Sequence, residues 1–347
     1  MAFYAYGLRP DGKYQERFGL DFEDFQPGQR FVHRPGVTLS QQDNVDEALD
    51  TMNAAMLHYD ANYAAQTAWK KPLMVSTITL QRAIGMSSKT FGRRKALLGF
   101  SEIALTKPVF GGDTLYSTSE ILACEACDAE TGIVEVLTRA TLADATEVAR
   151  FTYRSAIYKR AHGPDGDSPA PIAEPRFAAW REAADGALVE QMGLFFEDFR
   201  AGETFVHSPR RSFYWNEAVE HAWRSLELAP RYHDLDWLAR HAGGRLQIGE
   251  TFLITAATAP STRTFGRVVA NLGWYDIRLP HAVYAGDTVE AQSTVLDARS
   301  SKSRPNEGIL GVETRAFNQH GAEVLSYRRN LLVYRRNVES PYARAGY

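Results

Sequence analysis

The chain has 347 residues, of which 44% are apolar and 23% charged, the makeup of a globular protein with room for two ordinary domains. Its formal net charge of −3 leaves no electrostatic footprint for nucleic acid or an anionic membrane surface, and no apolar run approaches bilayer-spanning length. The opening M-A-F-Y-A-Y-G-L has neither the basic nor the apolar region of a secretory signal, so a cytoplasmic location is expected.

In chain order, F-E-D-F-Q-P-G precedes a short strand at Phe31 and Val32. A helix capped near Asp43 follows, with Asp and Glu in its first turn. An overhanging segment then carries His58, and a short helix starts behind Asp60, which reads as its N-cap. From Pro72 to Met86 the pattern predicts a helix that is apolar almost all the way round (Leu73, Val75, Ile78, Leu80, Ile84) and therefore buried on most faces. Four period-2 segments complete the unit: Lys95 to Ala104, Leu115 to Cys124, Ile133 to Leu142 and Phe151 to Tyr158. The one C-x-x-C, Cys124 to Cys127, lies on a strand with no second pair to complete a zinc site, so it reads as ordinary thiols.

The same order then repeats. F-E-D-F recurs from Phe22 to Phe196, T-F-G-R from Thr90 to Thr264 and G-D-T from Gly112 to Gly286, each displaced by 174 residues. Residues 161–175, rich in Pro, Gly and Asp, read as an exposed linker, and Arg176 to Ala184 as a helical lead-in. Residues 1–160 are thus expected to form one repeat and residues 176–347 another. One buried helix followed by antiparallel strands is an α+β unit whose sheet wraps the helix, the hot-dog arrangement. Two in one chain would pair sheet edges as a hot-dog dimer does, and outer edges would remain for further homo-oligomerisation.

The spacing H-x-D-x-x-x-A with Pro72 fourteen residues after His58, followed by P-V-F-G-G-D-T-L from Pro108, resembles the MaoC-like family of acyl-CoA hydratases. The tandem layout and the F-E-D-F openings look most like its mesaconyl-CoA hydratase (β-methylmalyl-CoA dehydratase) members. The resemblance implies hydration or dehydration of a short branched or dicarboxylic enoyl-CoA, with CoA as part of the substrate, no separate cofactor and no metal. It also implies His58 as general base beside the N-terminus of the buried helix, whose N–H groups near Val75 and Ser76 would polarise the thioester carbonyl. The family motif has an acid where Asn53 stands and a glycine where Ser76 stands, so Asn53 would only orient water. Arg93, Arg94 and Lys107 are implied for the CoA phosphates, and Lys70, Lys71 or Arg82 for a distal carboxylate.

At a displacement of 174, copy two has Glu227, Tyr232 and Glu250 where copy one has Asn53, His58 and Ser76, so it is expected to be structural. An alternative centre is Glu227 with His233, one place off register. Other readings are a hot-dog thioesterase using Glu250 and an acyl-thioester binding protein without turnover.

Overall fold

The structure is a computed structural model and describes residues 3–164, 169–336 and 340–344; residues 165–168 of the expected linker lie outside these. The chain forms two compact units, one from residues 18–168 and 179–191, the other from residues 1–17, 169–178 and 192–347.

In the first unit a seven-stranded sheet runs in the order Arg94–Leu105, Glu147–Tyr158, Thr131–Thr141, Thr114–Ala126, Arg30–Thr38, Leu188–Glu190 and Trp180–Glu182. The pairing is antiparallel except where Leu188–Glu190 joins Arg30–Thr38 in parallel. The helix Ser76–Met86 packs on this sheet through Ile78, Thr79 and Ala83, and Ser117 Oγ donates to the Ala83 carbonyl at 3.1 Å. The second unit repeats the plan, with helix Glu250–Thr258 and strands Thr204–Val206, Thr288–Ser300, Glu307–Asn318, Glu323–Tyr334 and Val268–Arg278. Each unit is the hot-dog arrangement, and no helix among the described residues is long and apolar enough to cross a membrane.

Four expectations are corrected. The domain boundary does not follow the repeat, because each repeat's leading hairpin is exchanged. Tyr14–Glu16 pairs in parallel with Thr204–Val206, while Leu188–Glu190 serves the other unit. Buried glutamates fix both hairpins: Arg263 Nε donates to Glu16 Oε1 at 2.6 Å, and Lys89 Nζ lies 3.8 Å from Glu190 Oε1. Residues 169–175 are exposed to half-buried, as expected of a linker, and are tied down where Ile172 N–H donates to the Tyr6 carbonyl at 2.9 Å.

The stretch Arg176 to Ala184 is not helical; a 3₁₀ turn, Pro175–Phe177, leads into the strand Trp180–Glu182, whose Trp180 is buried. Its partner is Leu188–Glu190, so tertiary pairing overrides a helical pattern only nine residues long. Finally, the central helix begins at Ser76, not Pro72. Leu73 bridges Phe110, and Met74 N–H donates to the Val109 carbonyl at 2.9 Å, which holds that segment extended. The helix also exposes Ser76, Thr77, Gln81 and Arg82, so one face is buried rather than all of them.

The F-E-D-F openings are structural anchors. Asp21 N–H donates to Asp24 Oδ2 at 3.0 Å, and Arg160, just beyond the last strand, holds Asp24 Oδ1 at 2.7 Å. Arg336 and Asp198 repeat the contact at 2.6 Å. A Cβ at Gly132 would overlap the ring of Phe22, and one at Gly308 the ring of Phe196. Gly132→Ala is therefore expected to destabilise its unit by about 1–3 kcal/mol, the usual cost of overpacking, measured as a lowered urea midpoint.

Both units bury a histidine. His33 Nε2 meets Ser119 Oγ at 2.9 Å, and His207 Nε2 meets Ser293 Oγ at 2.8 Å. Burial, then the Arg329 charge, lowers the His207 pKa to about 3. The unfolded imidazole protonates near its ordinary 6.5, so between these values the unfolded state holds the extra proton. Stability from this group is complete above pH 6.5 and falls as pH drops toward 3. Urea unfolding should show wild type losing on the order of 4 kcal/mol more than His207→Gln across that window.

Candidate active site

The His58 segment is a 3₁₀ turn, Met56–His58, followed by the helix Ala61–Gln66. Asp60 caps that helix, its Oδ1 accepting from Asn62 and Tyr63 N–H at 2.9 and 3.0 Å. His58 is half-buried, and its Nδ1 lies 2.7 Å from the Leu73 carbonyl. A carbonyl only accepts, so Nδ1 carries the proton and Nε2 keeps its lone pair. Leu73 N–H in turn donates to the Leu57 carbonyl at 3.2 Å, so the turn and the lead into the central helix are tied both ways.

The residue that assembles this site is Asn44, which sequence reasoning missed. It is fully buried on the helix Gln41–Asp50. Its Nδ2 donates to the His58 carbonyl at 2.7 Å and the Leu73 carbonyl at 3.0 Å, and its Oδ1 accepts from Val75 N–H at 2.7 Å. Gln41 Nε2 adds a bond to the His58 carbonyl at 2.8 Å. The signal was present: Asn44 stands four residues before buried Ala48, a polar residue on the buried face of its helix.

Asn44 also revises the anion site. Val75 N–H is engaged by it, so the donors opening the central helix are the N–H groups of Ser76 and Thr77, which have no carbonyl four residues back within the helix. The P-V-F-G-G-D-T loop supports the same point from behind, since Asp113 Oδ2 accepts from Phe110 N–H at 2.9 Å and Phe110 bridges Leu73.

The other predicted residues fall differently. Asn53 Oδ1 accepts from Ala55 N–H at 3.0 Å, so it closes the local turn, leaving its amide N–H₂ as the end that could meet water. Arg93 is buried, with Nε 2.7 Å from Asp21 Oδ1 and Nη2 on the His162 carbonyl; it braces the F-E-D-F turn and is not a phosphate ligand. Arg94 is half-buried, with Nη1 enclosed and its charge beside the buried Tyr153 hydroxyl, which also places it inside. Lys107 alone of the three is exposed. Arg82 lies 3.5 Å from Asp43, and Lys71 Nζ sits 4.1 Å over the Phe110 ring.

Copy two closes the equivalent place. Tyr232 is 2% exposed, its hydroxyl 2.5 Å from Glu250 Oε2, while Arg231 and Gln247 hold Glu250 Oε1 at 3.4 and 3.0 Å. Burial, then Glu250, pushes the Tyr232 phenol up to about 12. Ala218 stands where copy one has Asn44, so the clamp cannot form. Glu227 and His233 are not brought together; Glu227 Oε1 accepts from Ala229 N–H at 3.3 Å, and His233 Nε2 meets the Leu228 carbonyl at 3.1 Å.

A half-buried imidazole with one nitrogen fixed, set against the start of a sheet-wrapped helix, fits a hot-dog protein of the MaoC-like class. Residues 24–143 match a family model described as a MaoC like domain, so this stretch carries a MaoC-like domain. Residues 173–344 match a model described as Mesaconyl-CoA hydratase. A mesaconyl-CoA hydratase of Cereibacter sphaeroides is 36% identical over 157 residues, covering 43% of each chain. A beta-methylmalyl-CoA dehydratase of Chloroflexus aurantiacus is 28% identical over 154 residues, covering 43% of this chain and 42% of that protein. The likeness thus spans less than half the length of these relatives. Among solved structures, a Mycobacterium tuberculosis protein described as a double hot-dog is 24% identical over 91% of this chain and 99% of its own, with a TM-score of 0.39.

Proposed function

We propose that the chain is a hydro-lyase that adds water to, or removes it from, the α,β double bond of a short branched or dicarboxylic enoyl-CoA resembling mesaconyl-CoA. The observation that carries this reading is the fixed tautomer of His58, which leaves the Nε2 lone pair free to accept a proton. In the hydration direction Nε2 takes a proton from water as its oxygen bonds to the β-carbon. The double-bond electrons shift toward the thioester, and the developing oxyanion is met by the N–H groups of Ser76 and Thr77. The imidazolium then returns the proton to the α-carbon, so water's OH and H end on adjacent carbons. The Leu73 carbonyl stabilises the imidazolium meanwhile.

The thioesterase reading needs a free carboxylate at Glu250, and that carboxylate is already held by Tyr232, Arg231 and Gln247. Mass spectrometry of mesaconyl-CoA and crotonyl-CoA incubated with the protein decides between them. Gain of one water's mass is expected. Release of free CoA thiol would establish hydrolysis instead, and two unchanged substrates would leave a binding protein.

A further inference from the structure

The second unit contains a cavity of about 360 Å³ that this reaction does not use. Its floor is apolar, built on Phe252 and Ala256 of the central helix with Thr255 at the exposed side, and its wall carries Arg210, Arg211 and Arg263. In copy one, 174 residues earlier, Gly36 and Val37 stand in place of Arg210 and Arg211. The two arginines on one wall are therefore specific to this repeat.

The charges do not cancel. Arg211 Nη2 donates to Glu217 Oε2 at 2.6 Å while its guanidinium lies 5.2 Å over the Phe252 ring. Arg263 Nε is held by Glu16 Oε1 at 2.6 Å. Arg210 is exposed and has no ion-pair partner among the described residues. One positive charge thus stands at the rim of an apolar cavity within the usual range for small ligands, roughly 300–1,000 Å³. An apolar body alone would leave that charge unused, and a bare anion would leave Phe252 and Ala256 uncovered.

We propose that this cavity binds an organic carboxylate with a short apolar body, its head on Arg210 and its body over Phe252 and Ala256. None of its lining residues belongs to the His58 centre, and the proposal does not depend on the reaction read there. Calorimetric titration of the full chain with hexanoate tests it, beside 1-hexanol (the body without charge) and inorganic phosphate (charge without the body). Saturable hexanoate binding is expected, at least tenfold tighter than either control. It should be unchanged in His58→Ala and weakened at least tenfold in both Arg210→Ser, at an exposed position, and Thr255→Trp, which fills the cavity; melting curves check that both variants fold. Absence of saturation, equal binding of the controls, or hexanoate binding untouched by Arg210→Ser would overturn the proposal.

Discussion

Replacing His58 by alanine is expected to lower hydration of mesaconyl-CoA by roughly two to four orders of magnitude, the range a positioned general base contributes. The effect should fall on kcat, with KM changed only a few-fold, because the imidazole acts on water and not on the CoA portion. Stability should change little. His58 is half-buried, and its ring bond runs to a carbonyl that Asn44 also serves at 3.0 Å, so Leu73 keeps a donor in the variant. Steady-state kinetics with urea denaturation separates the two effects. A variant as active as wild type would remove His58 from the chemistry.

The second large effect is expected at Asn44. Asn44→Ala leaves Val75 N–H buried without its acceptor and removes one of two side-chain amides on the His58 carbonyl, the other being Gln41 at 2.8 Å. The lost partner of one buried N–H costs about 1–3 kcal/mol. The larger consequence is geometric. The His58 turn and the start of the central helix would no longer share a fixed spacer, and small misplacements of a base cost roughly 100-fold in rate. Asn44→Asp should be no better, since it keeps the acceptor for Val75 but turns an oxygen toward the His58 and Leu73 carbonyls. Asn44 is thus a positioning residue. The variants should lower kcat more than they raise KM and should move the acidic limb of the pH–rate profile, where the base is protonated, a readout that a merely structural residue would leave alone.

Asn44 also marks what the sequence could and could not show. The tandem architecture was legible because a 174-residue displacement held through F-E-D-F, T-F-G-R and G-D-T. The long strands were legible from alternation; Leu115 to Cys124 and Ile133 to Leu142 lie on Thr114–Ala126 and Thr131–Thr141 to within a few residues. Period-2 patterns survive wherever one sheet face is buried against a helix.

The exchanged hairpins were not legible, because strands of three residues such as Tyr14–Glu16 and Leu188–Glu190 are too short to carry a period. Their buried glutamates at equivalent positions, Glu16 and Glu190, were the available trace. The start of the central helix was misplaced because Pro72 is equally at home in an extended lead and in a first turn. The bridge from Leu73 to Phe110 and the Met74 N–H bond to the Val109 carbonyl decide between them. Arg93 was misread for a related reason. An arginine beside a strand end looks like a phosphate ligand until its fork is seen on Asp21 and the His162 carbonyl.

Copy two shows how a site can close while its frame persists. Asp234 still caps its short helix, accepting from Trp237 N–H at 3.0 Å, and Asp287 still holds Tyr284 N–H at 2.9 Å. What changed are the side chains that meet at the helix start: Tyr232, Glu250 and Ala218 replace His58, Ser76 and Asn44. A carboxylate in the first helical turn opposes a developing oxyanion and has recruited its own donors instead.

The most direct test of a single working centre compares His58→Ala with the double variant Glu227→Gln/His233→Ala in the water-addition assay. Loss of hydration in the first and wild-type rates in the second are expected. Activity that survives His58→Ala but disappears with Glu227 and His233 would contradict the account and move the chemistry to the second repeat.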